Sequence, residues 1–236
     1  MRQVLLAILI SGAALPGRAA EREAGDAAFL FAYSMKPGMA DEFEAGYRRH
    51  LAWHAQHHDS LTWLGWFVFS GPRLGTFVDG AFGIAPRAFD TRVDPGGDGE
   101  DAERNVTTFA DPTSRYLYRL RRDLGVSARL EAGKPAAMQL VAWVTLRPGG
   151  VEPFEQALRK LTSSRQTLLD YSAYERVAGG DQPAFLVLAQ FDAWGQLDDP
   201  GRDPIRKLLR EASDAIARTE TEVWQYRADL SYYPGQ

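Results

Sequence analysis

The chain has 236 residues, 45% hydrophobic and 25% charged, a composition typical of a folded globular protein. Its formal net charge of -4 argues against a nucleic-acid partner, because nucleic-acid binding needs a strongly basic surface. It contains no cysteine, which excludes disulfide bonds, thiolate metal sites and a cysteine nucleophile. The sequence also contains no phosphate-binding P-loop, no dinucleotide-binding glycine motif and no serine nucleophile elbow.

Residues 1–20 have the pattern of a secretory signal peptide. Arg2 supplies positive charge, and residues 4–15 form an apolar run that is too short to span a bilayer. Cleavage after Ala19 would place small residues at the cleavage site. We therefore predict export to the periplasm or the extracellular space, with no membrane attachment after cleavage. An uncleaved anchor is the alternative.

The first half of the chain alternates between strand and helix patterns. Residues 41–58 have helical periodicity, with Phe43, Tyr47 and Leu51 on one side. The acidic stretch 90–103 contains the glycine-rich break Asp94–Gly99, which predicts a solvated loop, with a lid over a site or a weak calcium site as alternatives. Strands are predicted at 29–35, 61–69, 76–82 and 114–121, and a short helix at about 99–109 is an option.

The second half repeats this order. Strands are predicted at 138–146, 171–178, 185–191 and 222–232, and helices at 151–169 and 203–219. Residues 28–125 and 137–233 thus form two ferredoxin-like βαββαβ repeats. Their strands are apolar on both faces, so we predict an α+β fold in which the repeats close one intramolecular pseudo-twofold barrel. Two separate units that each dimerise are the alternative. Residues that match at a spacing of 111 include Pro37 and Pro148, Phe43 and Phe154, and Glu44 and Glu155.

The chain resembles a known structural group. The resemblance rests on the turn Lys36-Pro37-Gly38, the Phe-Glu pair in the helix that follows, the central hairpin, and the closing Tyr-Arg pairs at Tyr118 and Tyr226. These features are similar to those of the dimeric α+β barrel superfamily, which includes antibiotic-biosynthesis-monooxygenase-like and NIPSNAP-like domains. The resemblance implies a fused tandem member. It leaves several activities open, since this superfamily includes cofactor-free oxygenases, haem proteins, isomerases and binding domains.

All four histidines of the chain lie between positions 50 and 58. His50 and His54 are one helical turn apart on the side that carries Phe43, a spacing that can bring two imidazoles onto one metal ion. In the second repeat a leucine, Leu161, stands at the position that matches His50. Asp79 lies in a strand whose counterpart also carries leucine, and a buried carboxylate needs a partner.

We therefore predict a metal site formed by His50, His54 and Asp79, with zinc or iron as the metal. Trp63 and Trp66 are predicted to wall the pocket, and either histidine, if not a ligand, would act as general base. Haem bound by a helix histidine is the alternative that the resemblance implies. The predicted function is an exported protein, monomer or homodimer, that binds a small molecule with a metal; catalysis by that metal is one version of this prediction. A non-catalytic binding or interaction module with structural histidines, or a cofactor-free or haem-dependent oxygenase, remains open.

Overall fold

The computed structural model describes residues 24–164 and 169–235. The predicted signal peptide, residues 1–20, lies outside the described residues. None of the helices in the described part is long and apolar enough to cross a membrane. The main elements are β1 (Ala24–Met35), α1 (Ala40–Gln56), β2 (Leu64–Ser70), β3 (Phe77–Ile84), α2 (Pro95–Ala102), β4 (Ala110–Leu120), β5 (Met138–Leu146), α3 (Val151–Ser163), β6 (Tyr171–Ala178), β7 (Ala184–Phe191), α4 (Pro204–Glu211) and β8 (Ile216–Tyr226).

The eight strands form one closed antiparallel barrel in the order β1-β3-β2-β8-β5-β7-β6-β4. The first four strands stand in the order β4-β1-β3-β2 and the last four in the order β8-β5-β7-β6. The pairs β2–β8 and β4–β6 join the two sets, so the barrel closes within one chain. The turn after the first strand of each set is also alike, because Gly38 and Gly149 have φ of 77° and 78°. The predicted α+β barrel is thereby confirmed, and descent of the halves from a duplication stays a prediction.

Both faces of the sheet are covered, as the strand patterns predict. Side chains alternate along each strand, so Trp66 and Val68 point into the barrel and contact the same core as Trp224. The residue between them, Phe67, points outward and packs on Phe77, whose ring centroid is 5.2 Å away. The outer face of the first four strands is covered by α1 and α2, and that of the last four by α3 and α4. A polar pocket lies between α1 and the sheet.

Each of the two long helices, α1 and α3, is joined to the other half of the chain by one ion-pair cluster. Glu44 on α1 accepts hydrogen bonds of 2.8 and 2.7 Å from Arg227, which follows β8. Glu155 on α3 accepts a short hydrogen bond from Arg121, which follows β4. Each cluster therefore fixes a helix of one half against the closing strand of the other half. The remaining members are Arg48 and Asp229 in the first cluster, and Arg159 and Asp123 in the second.

Three predicted boundaries and one predicted residue match are wrong. The acidic stretch is a helix from Pro95 onward, because Asp94 caps it by accepting from the Gly97 amide and proline is well suited to the first turn. The last helix ends at Glu211 and strand β8 begins at Ile216, where alternation with β-branched threonines favours an extended chain. Arg121, not Arg119, takes the place in its cluster that Arg227 takes in the other. Helix α3, predicted to extend to residue 169, ends at Ser163, and residues 165–168 are outside the described part.

Candidate functional site

A polar pocket lies between α1, α2 and the outer face of the first four strands. Its volume is about 150 Å³, and we call it the inner pocket. Aromatic residues of β1 and the Trp63 indole form its apolar walls, and the carboxylates of Asp79 and Asp98 contribute its acidic side chains. Its lining consists of Phe31, Tyr33, Tyr47, His50, His54, Trp63, Asp79, Arg92, Asp98, Gly99, Ala102 and Arg115.

Helix α1 places His50 and His54 in this pocket. Phe43 and Tyr47, on the same side of the helix, pack on Phe77 with ring centroids 5.2 and 4.6 Å apart, and this packing fixes the rotation of α1. His50 and His54 follow at one-turn spacing and are therefore buried, with 8% and 4% of their surfaces exposed. Their rings lie with centroids 4.7 Å apart. The other two histidines, at the end of α1, do not line the pocket.

Asp98 on α2 faces both imidazoles. Its Oδ1 lies 3.6 Å from Nε2 of His50 and 3.6 Å from Nε2 of His54. That oxygen is buried and has no hydrogen-bond partner in the described part of the chain. The other carboxylate oxygen, Oδ2, accepts a short hydrogen bond from Arg92. One nitrogen from each histidine and one oxygen of Asp98 lie within 4.8 Å of one another, so these three residues could hold a metal ion.

Each imidazole is contacted by one further aspartate, on the side that faces away from Asp98. Nδ1 of His50 is 2.8 Å from Oδ2 of Asp101, on α2. Nδ1 of His54 is 2.8 Å from Oδ2 of Asp59, although the approach is outside the angle of a regular hydrogen bond. Trp63 also donates to Asp59, at 2.9 Å. A carboxylate on Nδ1 favours the tautomer in which Nε2 carries the lone pair, and such outer carboxylates are typical of histidines that bind metals.

The same contacts explain the electrostatics of the two histidine–aspartate pairs. Burial, together with the neighbouring imidazole of His54, lowers the pKa of His50 and keeps its ring neutral. Burial alone would raise the pKa of Asp59, but contacts with His54, the Leu61 amide and the Trp63 indole outweigh it and lower that pKa. A neutral His50 imidazole can bind a metal ion without first losing a proton.

Asp79 lines the same pocket but is not one of the three converging groups. Its Oδ2 accepts a hydrogen bond of 2.5 Å from the Tyr47 hydroxyl, and its Oδ1 is buried without a hydrogen-bond partner in the described residues. Burial raises the pKa of Asp79 to about 7. Burial also raises the pKa of Tyr47, and the charge of Asp79 adds to that effect. The carboxylate that converges with the two histidines is Asp98, whereas the sequence predicted Asp79.

The two tryptophans predicted to wall the pocket are separated by the sheet. Trp63 lines the inner pocket, with its ring centroid 5.7 Å from that of His54. Trp66 is only 1% exposed and lies in the barrel interior, where it packs on Trp224. The prediction for Trp66 is wrong, because Trp63 and Trp66 are three residues apart in an extended segment and point to opposite faces.

No sequence pattern assigned Asp59, Asp98 or Asp101 to the site. The acidic stretch was the available signal, because the second half of the chain has no equally acidic segment at the matching place. Packing brings this stretch to α1 through Gly46, where a Cβ atom would lie 2.0 Å from the backbone oxygen of Asn105. A glycine on α1 thus allows the π-helical turn Glu103–Thr107, and α2 before it, to approach the histidines.

Comparison with known proteins identifies the fold. No family model and no curated protein matches the sequence. Among solved structures, an anthrone oxidase-like protein aligns over 92% of this chain and 96% of its own, with a TM-score of 0.60 and 9% identity. A candidate monooxygenase from Lactobacillus acidophilus aligns over 89% and 97%, with a TM-score of 0.56 and 11% identity. A chlorite dismutase from Candidatus Nitrospira defluvii aligns over 88% and 93%, with a TM-score of 0.57 and 9% identity. At these identities the likeness shows a shared α+β barrel fold.

Proposed function

We propose that His50, His54 and Asp98 bind one divalent metal ion, and that the protein uses it to bind and transform a small organic molecule in the inner pocket. The convergence of two imidazole nitrogens and an unpartnered carboxylate oxygen carries this proposal. Ligands at zinc-bond lengths around one tetrahedral ion lie about 3.3 Å apart. The separations of 3.6 Å between Asp98 and each histidine are within a few tenths of an ångström of that value.

Two histidines and one carboxylate suit zinc or non-haem iron(II). The bound ion would supply either Lewis acidity or redox chemistry. Asp101 and Asp59 hold the two imidazoles with Nε2 toward the site, and Arg92 holds Asp98 by its other oxygen. Iron(II) would suit oxygenase-like chemistry, which agrees with the names of two proteins that share the fold, an anthrone oxidase-like protein and a candidate monooxygenase.

Asp79 supplies a group that can exchange protons with a bound substrate. A carboxyl whose pKa is near 7 can act as acid or base at neutral pH. Tyr47 orients it through the hydrogen bond to Oδ2, which leaves Oδ1 free for a ligand. The aromatic side chains of Phe31, Tyr33 and Trp63 limit water around this carboxyl. We assign proton transfer to Asp79, whereas the sequence prediction gave it to a histidine.

The residues do not fit a haem. In each histidine Nδ1 is in contact with a carboxylate, and Nε2 faces Asp98 at 3.6 Å. A porphyrin bound to either Nε2 would have to occupy the position of Asp98, whose Oδ1 lies 3.6 Å from both nitrogens. We therefore propose a metal ion bound directly by the protein.

Metal analysis tests this proposal. Protein expressed without a histidine tag and purified without chelator should contain close to one zinc or iron per chain. His50→Ala and Asp98→Ala should lose this metal, whereas His57→Ala, in an exposed histidine that directly follows α1, should keep it. A metal-free protein that gains nothing on titration with zinc and iron(II) would contradict the proposal. It would favour cofactor-free proton transfer by Asp79, or a non-catalytic binding module.

We also propose that the protein is exported and that its halves arose by duplication. The signal-like residues 1–20 support export, and N-terminal sequencing of the protein from the extracytoplasmic fraction should find a mature chain that begins at Ala20. The matched strand orders and the paired ion-pair clusters support duplication. In the dimeric α+β barrel group two such units form a barrel, and this chain would hold both in one polypeptide.

A further inference from the structure

A wide groove continues from the inner pocket to the surface. It has a volume of about 580 Å³, and we call it the outer groove. Its floor is formed by β1 and β4, and its wall by α2 and the π-helical turn that follows. The inner pocket and the outer groove share Phe31, Tyr33, Gly99, Ala102 and Arg115. A ligand at this junction can therefore contact both spaces at once.

Arg115 is the cation at the junction. Its guanidinium carbon lies 4.9 Å from the ring centroid of Phe31, and the residue is exposed. Its side chain makes no hydrogen bond and no ion pair within residues 24–164 and 169–235. Arg92, the other arginine of the inner pocket, is by contrast held by Asp98. The planar fork of Arg115 is thus free to bind an anion, and stacking on Phe31 already limits its orientation.

The surfaces around Arg115 indicate what kind of anion would bind. Phe31 and Tyr33 provide aromatic faces at the junction, and Trp63 provides another in the inner pocket. Flat apolar rings pack well on such faces, and a guanidinium pairs with a carboxylate through two parallel hydrogen bonds. We propose that the ligand is a small aromatic carboxylate whose carboxylate binds Arg115 and whose ring extends toward His50, His54 and Asp98. This inference rests on the proposed function, because it uses the metal site as the far end of the ligand.

Binding of benzoate and of its neutral isostere benzamide tests the inference. Calorimetric titrations would use zinc-loaded wild-type protein, Arg115→Gln and the control Arg119→Gln, an exposed arginine of the same strand that lines neither space. We expect benzoate to bind the wild type at least 10-fold more tightly than benzamide. Loss of a charge-assisted hydrogen-bond pair should weaken benzoate binding to Arg115→Gln by about 10- to 100-fold. Arg119→Gln should bind like the wild type.

Equal binding of benzoate and benzamide, no binding of either, or an unchanged affinity in Arg115→Gln would overturn the inference. Zinc uptake, measured beside each titration, separates this result from failure of the metal proposal. If the wild-type protein takes up no zinc and its benzoate binding still depends on Arg115, the carboxylate site stands and the metal proposal fails. If the metal is present in full and Arg115→Gln has no effect, the carboxylate inference alone is wrong.

Discussion

Nδ1 of His54 lies 2.8 Å from Oδ2 of Asp59, on the side of the imidazole opposite Asp98. Asp59 is therefore expected to act on the metal through the tautomer of His54. Trp63 Nε1 and His54 Nδ1 both contact Oδ2 of Asp59, and the Leu61 amide donates to Oδ1. An asparagine has one acceptor oxygen and no charge, so it cannot satisfy all three donors and holds the Nδ1 proton of His54 less firmly. Asp59→Asn should weaken zinc binding by about 10- to 100-fold. Competition with a chromophoric chelator would measure this loss.

The matched control for Asp59→Asn is Asp90→Asn, an exposed carboxylate outside the inner pocket. It should leave zinc affinity unchanged. Because Asp59 also bonds the Leu61 amide, the melting temperature of each metal-free variant should be recorded. Normal zinc affinity in a folded Asp59→Asn protein would contradict the role given to Asp59.

Metal binding should stabilise the folded chain. A metal that binds the native state at 100 times its Kd adds about 2.7 kcal/mol to the free energy of unfolding. For a chain of this size that corresponds to a rise in Tm of roughly 5–10 °C. Thermal unfolding of chelator-treated protein with and without added zinc would measure the shift. The double variant His50→Ala/His54→Ala should show no shift, and an equal shift in that variant would place the metal elsewhere.

Gly46 should control the approach of α2 to the histidines. In Gly46→Ala the new Cβ would lie 2.0 Å from the backbone oxygen of Asn105, so the turn that follows α2 must move. We expect a loss of about 1–3 kcal/mol in the free energy of unfolding. Zinc affinity should fall as well, because Asp98 and Asp101 move with that segment. Chemical denaturation and chelator competition would measure the two effects.

Gly99→Ala is the control for Gly46→Ala, because it changes a glycine in α2 itself where nothing lies within 4 Å of the added Cβ. Alanine favours helix over glycine by roughly 1 kcal/mol, so this variant should be slightly more stable and should keep its zinc affinity. We therefore expect the change in the free energy of unfolding to have opposite signs in Gly46→Ala and Gly99→Ala. Equal effects would mean that the close contact at Asn105 does not position α2.

The barrel could be predicted because its sequence patterns are redundant. The strands are apolar on both faces, and the two halves carry matching residues such as Phe43 and Phe154. Each pattern alone is compatible with several folds. Because the strands are apolar on both faces, the face that the helices leave open also needs cover, and a second sheet is the economical cover. Boundaries were less predictable where local signals conflict. Asp94 and Pro95 favour a helix start while three nearby glycines oppose it, and contacts of Asp98 and Asp101 with α1 decide the outcome.

The candidate site was only half predictable. His50 and His54 stood out because a leucine takes the place of His50 in the other half and because their spacing fixes them on one side of α1. Asp98 comes from a segment 44 residues after His54, and no periodicity relates the two positions. Only the packing of α2 against α1 brings them together. Asp79 lines the pocket, but Tyr47 satisfies one of its oxygens, which sequence spacing could not reveal.

Asp79 should make the metal-free protein less stable as the pH rises. Its pKa is raised from 3.8 to about 7 in the folded chain, so the folded state holds a proton that the unfolded state has lost between these values. The free energy of unfolding therefore falls as the pH rises from about 4 to about 7, by about 1.4 kcal/mol for each unit of pKa shift. Tyr47, His54 and Asp98 are the titratable groups that act on this carboxyl.

Asp79→Asn isolates this contribution. The amide can accept the Tyr47 hydrogen bond without carrying a charge, so the variant should be more stable than the wild type at pH 8, by a few kcal/mol, and about equal to it near pH 4. Urea unfolding at a series of pH values in the presence of chelator would measure the difference. Asp111→Asn, in an exposed carboxylate of β4, should follow the wild-type curve. If the difference between wild type and Asp79→Asn does not change with pH, then Asp79 is not protonated in the folded state and cannot donate or accept a proton in the way proposed.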